Sequence, residues 1–350
     1  MQQTVLSPTR RRLLAASAAA GAIGFVPATP RAAPLTSVFG ASQWLNTSPL
    51  QPEDLKGAVV LVNVWTFSCI YCIRTLPYLR AWAAKYKDQG LVVIGVQTPE
   101  FAFEKDINNV RAALDFLGVY SPVAIDNEYR IWRAFGNNAW PTFYFIDTQG
   151  RICYRVAGEG DYERSERMIQ TLLSETHRAE GATDLVTVSG HGIEAAPDIA
   201  NVRSPETYVG YSQAENFVSP DRVTKDRPAP YRPGSGLSLN QWDLAGVWTI
   251  GGEFATLDQA PGSISYRFHA RDLHLILTPP APAHAIRFQV MLDGTPPGDN
   301  HGSDVDAMGL GAVQDARLYQ LVRQTTPITD RTFLIKFLDP GVRAYDFTFG

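Results

Sequence analysis

Two kinds of apolar run divide this chain. Between residues 35 and 178 the runs are long and nearly unbroken. Residues 58–65 (AVVLVNVW) and 91–96 (LVVIGV) hold almost no polar residue, the pattern of strands buried on both faces of a sheet. Between them Cys69 opens a helical pattern through Leu76, Leu79 and Trp82, closed by the turn signal at 88–90. Residues 110–117 also have helical spacing. Residues 142–147 read as a third strand, and 147–150 as a turn into a returning hairpin arm at 151–157. A last amphipathic helix is predicted over 165–177. Strands separated by helices imply an α/β sandwich around a mixed sheet.

From 179 to 201 the periodicity dissolves into Gly, Ala, Ser and Pro, which marks a linker. Beyond it, short β-rich runs recur at 248–250, 263–269, 273–277, 286–292, 317–322, 332–338 and 345–349, separated by Pro- and Gly-rich turns. No helical period appears there. Many short strands at regular spacing predict an all-β jelly roll or β-sandwich over 202–350.

Composition narrows the classes. With 350 residues, 45% hydrophobic and 19% charged, the chain can build two real cores. A formal charge of −4 leaves no basic footprint for nucleic acid. Three cysteines are too few for a disulfide-stapled scaffold, and two of them lie three apart. At the N-terminus, Thr9-Arg-Arg-Arg-Leu-Leu14 precedes an Ala-rich apolar run to Val26. Residues 1–33 therefore read as a twin-arginine-type export signal, with cleavage after Ala28, Ala32 or Ala33. An uncut membrane anchor is the alternative, although the run is short for a spanning helix. Removing residues 1–28 takes away three arginines and no acids, leaving −7. Export would place the cysteine pair in a periplasmic or otherwise extracytoplasmic compartment, where disulfides persist.

That pair lies in Trp65-Thr-Phe-Ser-Cys-Ile-Tyr-Cys72, between a strand and a helix start. A helix N-terminus offers unpaired N–H groups and the positive end of the dipole, which favour a thiolate at Cys69. Three-residue spacing brings Cys72, expected to be buried, within reach of a mixed disulfide on Cys69. Cys69 is then the nucleophile and Cys72 the resolving thiol. The second half of the site is Trp140-Pro-Thr142, immediately before a strand. A cis Pro141 is expected there, across from the cysteines, leaving the backbone before it free to pair with an extended substrate. Trp65, Ser68, Ile70, Tyr71, Trp140 and Thr142 are the expected site wall, with plain core packing as the alternative for Trp65 and Trp140.

Residues 35–178 resemble the thioredoxin superfamily, in the branch of TlpA- and ResA-like extracytoplasmic thioredoxins. The segment around the cysteines, with Gln97-Thr-Pro-Glu-Phe101, Ser204-Pro-Glu-Thr-Tyr-Val-Gly210, Asp304-Val-Asp306 and Arg317-Leu-Tyr-Gln-Leu-Val-Arg323, is similar to the periplasmic part of DipZ-type proteins. The resemblance implies a thioredoxin-like domain joined to a sandwich shaped like a carbohydrate-binding module. It implies reduction of protein disulfides, with electrons from a separate CcdA- or DsbD-like membrane donor, because this chain shows no electron-importing membrane domain. The sequence departs from cytosolic thioredoxins in enclosing Ile70-Tyr71 between the cysteines. It also places Asn63 where a buried acid is common, and Glu100 or water is the expected proton acceptor instead.

Other readings compete. A zinc clip would need four ligands, and the remaining cysteine, Cys153, has no His near it in sequence. Cys153 is expected to be a buried small residue. His301-Gly-Ser-Asp-Val-Asp306 places Asp304 and Asp306 close enough to suggest Ca²⁺, but Asp-rich turns are common without metal. No metal and no cofactor are expected. Tyr208, Tyr211, Trp242 and Trp248 could stack on a glycan, which would make the chain a cell-wall-binding protein with a scaffold thioredoxin-like domain. Thr98-Pro-Glu100 resembles a peroxidatic loop, the signature of a thiol peroxidase, but holds no cysteine.

Overall fold

The computed structural model describes residues 35–176, 184–282 and 284–350. The expected export signal and the first residues of the expected linker, 179–183, lie outside the described residues. In the first half, β2 (Val59–Trp65) has all seven residues buried. It runs parallel to β3 (Leu91–Gln97), which is parallel to β4 (Val123–Ile125). On its other edge β2 pairs antiparallel with β5 (Thr142–Ile146), and β5 with β6 (Ile152–Ala157). β1 (Gln43–Leu45) closes the far edge, for the order β1-β4-β3-β2-β5-β6.

Both faces of this sheet are covered, which explains the unbroken apolar runs. Leu61, Trp65, Val93 and Phe143 pack with residues of α3 (Leu76–Tyr86), α4 (Ile107–Phe116) and α6 (Tyr162–Ser174). Val60, Val62, Val64 and Ile94 cluster with residues of α1 (Leu35–Val38) and α5 (Arg130–Ala134). The single helix anticipated after Cys69 is two: α2 (Ile70–Ile73) ends before α3 begins. Pro77 is the reason, since it lacks the N–H that would bond to Ile73 and its ring crowds that carbonyl. Gly90, at φ 103°, ends the turn after α3 in the left-handed region that glycine adopts without strain.

In the second half the paired strands are antiparallel throughout. Its sheet runs β13 (Leu310–Val313), β12 (Ile286–Leu292), β15 (Arg331–Phe337), β10 (Ala255–Phe268), β16 (Arg343–Phe349), β11 (Asp272–Thr278), β14 (Arg317–Arg323). β9 (Trp242–Ile250) also lies on β10, β8 (Ala229–Tyr231) on β9, and β7 (Thr207–Tyr208) on β16. Register shifts between Leu257 and Ser263 let β10 pair with β16 at one end and β15 at the other. Bulges of this kind bend a strand and fold the sheet over a shared apolar interior. Trp242 and Trp248 are 1% and 0% exposed in that interior.

The halves share buried surface. Ile276, Leu318 and Tyr345 of the β half belong to the same apolar cluster as Phe101, Cys72 and Leu79. The described part of the expected linker is tied down on both sides: Arg80 pairs with Glu194 at 2.6 Å, and Arg323 donates to the Gly192 carbonyl at 3.1 Å.

Candidate active site

The two thiols stand where strand β2 hands over to helix. Cys69 is the N-cap of α2, with extended backbone, and its carbonyl accepts the first helical bonds from Cys72 and Ile73, each at 3.0 Å. The Cys72 N–H also lies 3.4 Å from Cys69 Sγ. Both cysteines are free thiols; Cys69 is 8% exposed and Cys72 is 0%. Burial pushes the Cys69 thiol well above its ordinary range, and the Cys72 thiol and the Glu100 charge add to the rise. A helix of one turn carries little dipole to oppose them, so the thiolate expected from the N-cap position is disfavoured.

The remaining site residues arrange as follows. The Trp140–Pro141 peptide is cis. Val64 pairs with Thr142 across β2 and β5, so Pro141 sits opposite Trp65 at the end of β2 from which the chain runs to Cys69. Trp140 is half-buried, donates from Nε1 to the Thr98 carbonyl at 2.9 Å, and leans on Trp132 with ring centroids 4.3 Å apart. Thr142 Oγ1 bonds to the Ala139 carbonyl at 2.9 Å. Tyr71 is half-buried. Trp65, Ser68, Ile70 and Thr142, at 1%, 0%, 0% and 0% exposed, are buried. Asn63 is 2% exposed on β2, and with Trp65, Val93, Gly95 and Leu79 it lines a cavity of about 220 Å³ beneath α3.

Glu104 was not singled out from the sequence, yet it is the fully buried acid of the site. Its Oε1 accepts from Ser68 Oγ at 2.5 Å, and its Oε2 accepts from the backbone N–H of Phe101 at 2.9 Å and from that of Glu100. Burial, with the Glu100 charge second, pushes its carboxyl up to about 7. An acid inside the aromatic run Phe101-Ala-Phe-Glu104 was the available signal. Glu100 accepts from Tyr208 Oη at 3.0 Å.

Other candidates fall elsewhere. Cys153 is exposed, not buried, because β6 is an edge strand whose residues alternate between faces; its Sγ lies 3.7 Å from Asp147. Asp304 pairs with Arg317 at 2.7 Å, and Asp306 caps the N–H groups of Met308 and Leu310 at 2.9 and 2.8 Å. No group of three His, Cys, Asp or Glu side chains among the described residues could hold a metal ion. Among the aromatics considered for stacking, Trp242 and Trp248 are core, Tyr208 faces Glu100, and Tyr211 bonds to Asp226 at 2.9 Å.

A parallel β-strand ending at a helix-capping dithiol, opposite a cis proline on an antiparallel neighbour, defines a thioredoxin-like redox domain. Residues 34–173 match the Redoxin family model, and residues 204–350 match that of the thioredoxin-like C-terminal domain. The thiol-disulfide oxidoreductase ResA of Bacillus thuringiensis (strain Al Hakam) is 30% identical over 128 residues, 37% of this chain and 71% of ResA. The chain belongs to this family of thioredoxin-like thiol–disulfide oxidoreductases. It is also a homologue of protein DipZ of Mycobacterium tuberculosis (strain CDC 1551 / Oshkosh), at 35% identity over 243 residues, 68% of this chain. The chain spans about a third of the length of DipZ, 34%. A solved thiol-disulfide isomerase from Corynebacterium glutamicum shares 25% identity, covering 38% of this chain and 92% of that one, with a TM-score of 0.36.

Proposed function

We propose that this chain is an extracytoplasmic thiol–disulfide oxidoreductase that reduces protein disulfides. The observation that carries the reading is Cys69 at the cap of α2, 8% exposed, with the fully buried Cys72 one turn behind it. The Cys69 thiolate attacks one sulfur of a substrate disulfide, and the released sulfur leaves as a thiolate that takes a proton. The Cys72 thiolate then attacks Cys69, releasing the second substrate thiol and leaving a Cys69–Cys72 disulfide. Two electrons and two protons pass to the substrate. Glu100 or water accepts the Cys72 proton, and Pro141 lies beside the substrate backbone. A separate membrane electron donor regenerates the dithiol.

The environment of Cys69 supports this direction. Burial and the Glu100 charge disfavour its thiolate. A couple whose reduced form is not stabilised gives electrons up, the reverse of a strong oxidant with a stabilised thiolate. Reduction of insulin, with Cys69→Ser as control, tests the activity, and equal rates in both proteins would refute it. The potential of the couple against glutathione tests the direction: a value near about −270 mV supports a reductant, and one near about −120 mV overturns it.

A further inference from the structure

The turn that follows β3 touches both the dithiol and the β half of the molecule. Toward the dithiol, Glu104 holds Ser68, the residue before Cys69, and ties down the backbone N–H groups of Glu100 and Phe101. Toward the sandwich, Tyr208 donates its hydroxyl to Glu100, and Glu253 accepts the Ala102 N–H at 3.1 Å. The Phe101 and Phe103 rings pack on Tyr345 with centroids 5.2 and 4.9 Å apart. Tyr208 is itself fixed: β7 pairs it with Asp346, and the next residue, Val209, donates to the Tyr345 carbonyl at 2.8 Å.

We propose that the β-sandwich is a working part of the redox centre, and that Tyr208 is its positioning residue, holding the Glu100 carboxylate on the turn that Glu104 ties to Ser68, the residue before Cys69. The proposal rests on the reading of Cys69 as the attacking thiol. A carboxylate held near a thiol raises the cost of forming the thiolate, and one released to solvent is screened. The sandwich therefore sets the reactivity of a cysteine in the other half. Cys72 and Tyr71 are the titratable groups on Cys69's own helix, with Arg74 at its C-cap. Glu100 and Glu104 come from the turn, and Glu206 and Asp346 from the sandwich act on the neighbouring Tyr71.

The test is the pH midpoint of Cys69 alkylation by iodoacetamide, read by peptide mass mapping on the whole chain. Four proteins are compared: wild type, Glu100→Gln, Tyr208→Phe, and the double variant. Glu100→Gln lowers the midpoint by about one pH unit. Tyr208→Phe lowers it part of the way, and the double variant coincides with Glu100→Gln, because both changes act through one carboxylate. A Tyr208→Phe midpoint equal to wild type overturns the proposal, as does a double variant in which the shifts add. Additivity would mean that Tyr208 acts only by bracing the interface. These midpoints do not depend on any protein substrate. A wild type that reduces no insulin while showing this pattern removes the oxidoreductase reading and leaves the coupling standing.

Discussion

Replacing Glu104 by Gln should remove a specific pH dependence of folding. Glu104 is 0% exposed, and its carboxyl is pushed up to about 7 from an ordinary value of 4.5. An acid with a raised pKa keeps its proton in the folded chain at pH values where the unfolded chain has lost it. The folded state is therefore favoured most below about 4.5, and that advantage drains away as pH rises to about 7. A gap of about 2.5 pH units, at about 1.4 kcal/mol each, corresponds to about 3.5 kcal/mol. Gln is the neutral isostere and can keep every bond: its carbonyl takes the N–H groups of Phe101 and Glu100, while its amide donates to Ser68 Oγ. Glu104→Gln should thus match wild type near pH 4.5 and exceed it by about 3.5 kcal/mol at pH 8. Urea unfolding of both proteins across that range, taken as a difference curve, cancels the other titrating groups. A difference that stays flat with pH would refute the reasoning, since it would mean that Glu104 is not held neutral by burial.

Two further outcomes follow from packing and charge. Asp272, 1% exposed, bonds to Arg323 at 2.7 Å and Arg271 at 2.6 Å. Burial pushes its carboxyl up, but Arg323, His274 and Arg271 outweigh it and hold it below its usual range. Asp272→Asn should cost about 2–4 kcal/mol at pH 7 by leaving the half-buried Arg271 and Arg323 without their buried carboxylate. Stability from a depressed acid is lost as pH falls through its folded value, so the gap should narrow toward pH 3; equal unfolding midpoints at pH 7 would sink this account. At Gly95 an added Cβ would lie 2.9 Å from Trp65 Nε1 and 3.4 Å from Val123 Cγ2. Gly95→Ala should cost about 1–3 kcal/mol through displacement of the buried indole, and an unchanged thermal midpoint would show that the indole can yield.

What could be read from the sequence alone was whatever local pattern encodes. The doubly covered strands β2 and β3 announced themselves by continuous apolar runs, and β5 began where Trp140-Pro-Thr142 ended. The dithiol was legible because a strand, a short loop and Cys-x-x-Cys at a helix start are contiguous. Six strands of the β half showed through as runs of five or more residues, because a pattern of that length survives without tertiary context, and only the last three residues of β9 did. Three-residue strands such as β1 and β4 hold too few residues to carry a period, and only pairing with a neighbour defines them.

The tertiary structure decided the environment of each side chain. The exposure of Cys153 depends on β6 being an edge strand, and the burial of Trp242 and Trp248 on how β10 bends. Glu104 reads as a surface acid until the aromatic rings and Ser68 close around it. The contact that joins the halves links Tyr208 to Glu100, residues 108 apart. Periodicity reports which face of an element is apolar, but the position of a charge relative to a distant thiol is set only when separate elements pack.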